Sequence, residues 1–144
     1  MTDTKENLAR VYDYLLRVRK LELSIWRLCL QHDELQSCLL PAAIRYDKDK
    51  VQTSPEDKLS DVAAAVLDLE EKIQELRHQK AKLVLEINTA INALPDEKES
   101  GILTAYYIKR MSMEDVADKV GYSVQHTYRL RKRGVTHLAE ILKM

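Results

Sequence analysis

Apolar residues recur at helical spacing along most of this chain, and three segments differ in how they repeat. In the first, from about Thr4 to Leu40, Leu8, Val11, Leu15, Val18, Ile25 and Cys29 follow steps of three and four, broken by Glu22. A second row, Tyr12, Leu16, Leu23, Trp26 and Leu30, lies beside the first. Together they predict one long helix with a wide apolar stripe. Thr4 marks its start and Pro41 an end or a kink. From Ala42 to Ser60 the period is lost, which predicts a connector. Ser54-Pro55-Glu56-Asp57 reads as a helix start, with Ser54 as N-cap, Pro55 at the first helical position and the acids in the first turn.

The second long helix carries the most regular pattern. Val62, Val66, Leu69, Ile73, Leu76, Lys80, Leu83, Ile87, Ala90 and Leu94 alternate steps of four and three. This is a heptad repeat, with Val66, Ile73, Lys80 and Ile87 at one core position and Val62, Leu69, Leu76, Leu83 and Ala90 at the other. At about 1.5 Å per residue the seam spans roughly 50 Å. β-Branched residues at a and Leu at d match a two-stranded parallel coil. The flanking charges do not, because Lys72 would face Arg77 across it. The broad stripe of the first helix also needs a partner. An antiparallel intramolecular hairpin is therefore the favoured arrangement, and it is compatible with hairpins pairing into a four-helix assembly.

From Pro95 the spacing changes again. Pro95 with Asp96, Glu97 and Glu99 opens a helix carrying Ile102, Leu103, Tyr106 and Tyr107. Ser112 followed by Asp115 is a capping-box variant, Val116, Ala117 and Val120 form an inner face, and Gly121 suits a left-handed turn. Ser123 caps a last helix on which Thr127, Leu130, Gly134 and Leu138 share a side. A short helix, a tight glycine turn and a second helix make a helix-turn-helix pattern. The expected organisation is all-α: a helical hairpin or coiled coil over 1–94, with its connector at about 42–60, then a helix-turn-helix domain over 95–144.

Composition narrows the function. The 144 residues include 3 Gly, 3 Pro and no Phe, too few breakers for a β-barrel or a glycine-rich phosphate loop. No apolar run reaches the length of a membrane span and no signal core opens the chain, so a cytoplasmic protein is expected. Formal net charge is zero, yet the charge is uneven. Residues 95–121 hold four basic and six acidic residues, whereas 122–144 hold Arg129, Arg131, Lys132, Arg133 and Lys143 against Glu140 alone. The positive charge thus falls on the helix that would enter a DNA groove, where cations neutralise phosphates.

A helical wheel at about 100° per residue puts Gln125, Tyr128, Arg129, Lys132 and Thr136 on the outer face. Gln125, Tyr128, Arg129 and Lys132 are the expected base-facing set. Ser123, His126, Arg131 and Arg133, at the helix start and flanks, are the expected phosphate contacts. Other chemistry has little support. Cys29, His32 and Cys38 lack a fourth ligand for zinc, His78, His126 and His137 stand alone, and Tyr106 and Tyr107 read as packing residues. No enzyme, metal or cofactor is expected.

From Ser112 to Leu138 the chain reads S-M-E-D-V-A-D-K-V-G-Y-S-V-Q-H-T-Y-R-L-R-K-R-G-V-T-H-L. This stretch resembles region 4 of sigma-70-type sigma factors, and Ile102–Ile108 resembles the helix leading into it. The resemblance implies Gln125, Tyr128 and Arg129 as the base-facing set. Val124 and Gln125 stand where those proteins often carry charge, so their DNA preference does not transfer. The aromatic-rich region that opens promoters has no counterpart. The whole arrangement, with a connector reading Val51-Gln52-Thr53-Ser54-Pro55, is similar to small phage and prophage transcription regulators of the ArpU/RinA kind. That similarity implies a DNA-binding regulator in a bacterial host, associated with the nucleoid. Its partners would be double-stranded DNA, RNA polymerase and further copies of itself through the N-terminal helices. A phage DNA-packaging subunit of the small-terminase type, or a coiled-coil adaptor that binds no DNA, would use the same elements.

Overall fold

The computed structural model describes residues 2–45 and 55–144, and every regular element among them is helical. Two long helices, α1 (Thr2–Arg45) and α2 (Pro55–Asn92), precede α3 (Glu97–Leu103), a π-helical turn (Thr104–Ile108), α4 (Met113–Val120) and α5 (Val124–Leu142). None of the described helices is long and apolar enough to cross a membrane.

The helix limits differ from the sequence pattern at the connector. α1 continues through Pro41 to Arg45, and α2 begins at Pro55, so helix occupies both flanks of the expected 42–60 connector. Pro41 sits near the helix end, where its missing N–H costs one hydrogen bond and few residues follow to be misdirected. Pro55 takes the first helical position, where its N–H would have had no partner in any case. Ser54, the expected cap, lies outside the described residues, as do Val51, Gln52 and Thr53.

The chain forms two compact units, one made of residues up to Lys20 with Lys80–Met144, the other of Leu21–Gln79. In the second unit α1 and α2 run antiparallel. Arg77 donates to Cys29 Sγ at 3.8 Å and His32 Nε2 meets Glu70 Oε1 at 2.9 Å, so higher numbers on one helix face lower ones on the other. Leu28, Val66 and Ile73 are buried here, and Val62, Leu69 and Leu76 are half-buried. The heptad seam is thus used within a hairpin, with its a positions innermost. His32 is bonded to Glu70 and Asp33, and these carboxylates push its pKa up, the Glu70 bond most. Cys29 and His32 therefore have protein partners, and among the described residues no group of three ligating side chains is assembled.

The first unit holds the main core. Val11, Tyr14, Leu15 and Val18 of α1 pack with Ile87, Ala90, Ile91 and Leu94 around α2's end, and with Leu103, Tyr107, Val135, Leu138 and Ala139. Each aliphatic side chain buried in this way contributes roughly 1.5–3 kcal/mol. Tyr14 Oη donates to Glu86 Oε2 at 3.1 Å across the helix pair. A second cluster, Ile102, Val116 and Leu130, joins α3, α4 and α5.

The helix expected from Pro95 onward runs as α3 and continues without interruption into the π turn. Lys109 N–H bonds back five residues to Thr104 O at 3.0 Å, and Arg110 ends the turn in the left-handed region at φ 58°. Adjacent tyrosines on this turn serve different neighbours. Tyr107 enters the core, while Tyr106 meets it edge-on at 4.8 Å and stays half-buried. Arg19 of α1 donates from Nη2 to the Tyr106 carbonyl at 3.2 Å, capping backbone that the π turn leaves open.

Candidate nucleic-acid interface

Local chemistry sets the two helices that carry the basic cluster. Ser112 Oγ accepts from Asp115 N–H and Ser123 Oγ from His126 N–H, both at 3.1 Å, so each serine satisfies a donor in the first turn of its helix. Between them Gly121 takes φ 80°, a left-handed value, and its N–H bonds to Ala117 O at 2.9 Å. A side chain would be strained at that φ, so the sharp reversal from α4 to α5 depends on glycine here.

The reversal divides α5 into two faces. Thr127, Leu130, Gly134, Val135 and Leu138 are buried. Thr127 Oγ1 donates to Ser123 O at 2.8 Å, which ties the buried face to the cap. Gln125, Tyr128, Arg129 and Lys132 are all exposed on the opposite side. Ser123 and His126 are exposed at the helix start, where the His126 ring meets Tyr122 edge-on at 4.9 Å. Ser123 Oγ already accepts a bond, but its hydroxyl hydrogen can still be donated.

Arg131 and Arg133 lie in different surroundings. Arg131 is half-buried, its guanidinium 4.6 Å from the Tyr106 ring and 5.0 Å from the Tyr128 ring. Arg19 stacks on the same Tyr106 at 4.7 Å. These contacts join α1, the π turn and α5 through cation–π attraction. Arg133 is exposed and projects beside Arg129 and Lys132. A cleft of about 350 Å³ lies along this side of α5, lined by Arg129, Lys132, Arg133, Thr136 and His137.

Beneath the cleft is a pair that sequence spacing does not show. Glu99 of α3 is 1% exposed, and His137 Nδ1 sits 2.9 Å from its Oε1 and 3.0 Å from its Oε2. The hydrogen bond is made to Oε2; Oε1 has no hydrogen-bond donor among the described residues, and Arg133 Nε stands 3.9 Å from it. Gly134 makes this approach feasible. A Cβ there would lie 3.2 Å from Leu103 Cδ1 and 3.3 Å from Glu99 Cβ, both within buried side chains. The two partners are 38 residues apart, so only the packing of α3 on α5 reveals them.

A family model described as a protein of unknown function (DUF1492) matches residues 40–139. The chain belongs to the DUF1492 family. The matched stretch includes all of α2 and α3, the π turn, α4 and most of α5, and so contains the exposed basic face, the Gly121 reversal and the Glu99–His137 pair of this DUF1492 chain. No curated protein and no solved structure matches it.

Proposed function

We propose that this DUF1492 chain is a sequence-specific DNA-binding transcription regulator, phage or prophage encoded, in which α4 and α5 act as a helix-turn-helix. One observation carries the reading. Gln125, Tyr128, Arg129 and Lys132 are exposed together on the side of α5 opposite Thr127, Leu130 and Leu138, with the chain's densest positive charge among and beside them. An exposed helix face combining amide, aromatic and guanidinium groups suits base edges, and adjacent cations suit phosphates. The resemblance of Ser112–Leu138 to sigma region 4 supports this reading and makes RNA polymerase a second partner. The role is binding rather than catalysis, carried out at the bacterial nucleoid.

Arg129→Ala should weaken binding to the preferred duplex by ~1–3 kcal/mol and relax base preference. Arg133→Ala should weaken all duplexes alike and lower the salt slope by about one unit. Salt titrations on selected and random duplexes test both. Equal loss on the two duplexes for a folded Arg129→Ala protein would remove this face from base readout. Failure of the wild-type chain to bind any duplex at low salt would favour an adaptor role.

Self-assembly through the N-terminal helices belongs to the same proposal. Within the second unit Leu23, Trp26 and Leu30 are 63%, 59% and 51% exposed. On the α1 wheel they lie together, opposite the buried Leu28 and half-buried Leu21 and Leu35. A helix with two opposed apolar faces, only one of them covered, marks an association surface, and helix-turn-helix proteins commonly read paired half-sites as dimers. Trp26→Lys should shift sedimentation from dimer or larger to monomer while leaving the helical CD signal in place. A wild-type chain that sediments as a monomer at high concentration would overturn this part, and a closed ring would favour the DNA-packaging reading.

A further inference from the structure

The Glu99–His137 pair is buried at the carboxylate and open to solvent at the imidazole. A carboxylate shielded from water is unfavourable unless paired, and His137 Nδ1, 2.9 and 3.0 Å from its two oxygens, with Arg133 Nε at 3.9 Å, supplies that pairing. The pair also fixes a nitrogen. A carboxylate only accepts, so the proton on the facing imidazole nitrogen is on Nδ1. With Nδ1 held by Glu99, Nε2 is turned to the far side of the ring, and His137 lines the cleft with its side chain 42% exposed. Arg133 lines the same cleft beside it, with Arg129 and Lys132 further toward the helix start, while the Thr136 hydroxyl already donates to Lys132 O at 2.9 Å. Arg129 and His137 are eight positions apart, about 12 Å along the helix, so a helix that reads bases near its start has His137 away from those base edges, where a contact would be to backbone phosphate.

We infer that this cleft is a phosphate site in which His137, oriented by the buried Glu99, makes a proton-dependent contact to a backbone phosphodiester. The inference rests on the nucleic-acid reading for the source of the phosphate, but the site itself would take any phosphate group. In the neutral ring Nε2 has no hydrogen and can only accept, which a phosphate oxygen cannot use. In the imidazolium Nε2 donates a charged hydrogen bond. Phosphate binding and protonation of His137 therefore favour each other. The charged groups around this imidazole are Glu99 from α3, Arg133, Arg129 and Lys132 from α5 itself, and Glu140 one turn further along α5. Bound phosphate adds the negative charge that a charged imidazole and the neighbouring cations pair with. Glu99 is a positioning residue here, and His137 is the contact.

The full chain is titrated with a labelled duplex at about pH 6 and about pH 8, the interval in which histidine changes charge. Wild type should bind about fivefold more tightly at the lower pH. His137→Gln should bind with nearly equal affinity at both. Glu99→Gln retains a hydrogen-bond acceptor for Nδ1 without the negative charge, so it should gain less binding at the lower pH than wild type does. A merely structural pair would leave all three profiles parallel. Inorganic phosphate, followed by the His137 imidazole resonances, separates the two layers of the inference. If it shifts those resonances while no duplex binds, the phosphate site stands and the DNA reading falls. If duplex binds but His137→Gln follows the wild-type profile at every pH, the site is overturned and the DNA reading stands. Absence of both responses overturns both.

Discussion

Thr127→Asp should unfold the C-terminal helices at neutral pH, with a loss of about 4 kcal/mol or more. Thr127 is 0% exposed and lies where the buried face of α5 meets the cap from Ser123. An aspartate there cannot reach water, and an ionised carboxylate in an apolar setting is among the few single changes that cost this much. Thr127→Val separates the charge from the lost hydroxyl. It keeps the shape and gives up one bond to a backbone carbonyl, a loss of about 1 kcal/mol. Urea unfolding followed by CD gives both numbers. The aspartate variant should recover part of its stability in acid, as the carboxyl becomes neutral and the burial cost shrinks. A Thr127→Asp protein within about 1 kcal/mol of wild type at pH 7 would show that this position is not a packed part of the motif.

Alkali should expose a second weak point, at Tyr107. Its phenol is pushed up to about 12 from an ordinary 10, chiefly by burial, with Arg131 and Arg19 opposing the rise and Tyr12 and Tyr106 adding to it. The folded protein therefore keeps this proton where the unfolded chain has lost it. Stability from the neutral buried phenol is fully present below pH 10 and is lost as pH rises through about 12. Two units correspond to about 3 kcal/mol. Tyr14 acts in the same direction, because burial and the neighbouring Glu86 also raise its pKa. Tyr107→Phe has no proton to lose and should escape the larger part of this decline. Unfolding free energies from urea titrations of wild type and variant should therefore diverge between pH 10 and 12 and agree at pH 7 to within about 1 kcal/mol. Parallel curves would place the alkaline sensitivity elsewhere.

Much of this architecture is readable before folding is considered, for a local reason. Ser112, Ser123 and Gly121 act on backbone within four residues of themselves, so their caps and left-handed turn follow from residue type alone. Val66, Ile73 and Ile87 repeat at heptad spacing, and all three are buried. The opposed faces of α5 follow from the same periodicity. Residue spacing also placed helix boundaries near Pro41 and Pro55, but proline restricts the backbone without dictating where a helix stops, and α1 ran on to Arg45.

What the tertiary structure alone decided is which distant surfaces meet. Periodicity shows that a face is apolar, but a face carries no label for its partner. Tyr12 and Leu16 of α1's second row pack against the main core, whereas Leu23, Trp26 and Leu30 of the same row are exposed. Tyr106 and Tyr107 are adjacent in sequence, yet one stacks with two arginines and the other enters the core. Glu99 read as one of several acids opening a helix and His137 as an isolated imidazole. Gly134, with no side chain to hold α3 away from α5, brings them within 3.0 Å. Short-range hydrogen bonding and helical period determine the elements and their faces. Close packing between elements far apart in the chain determines which charges are buried together, and a buried pair has no signature in sequence spacing.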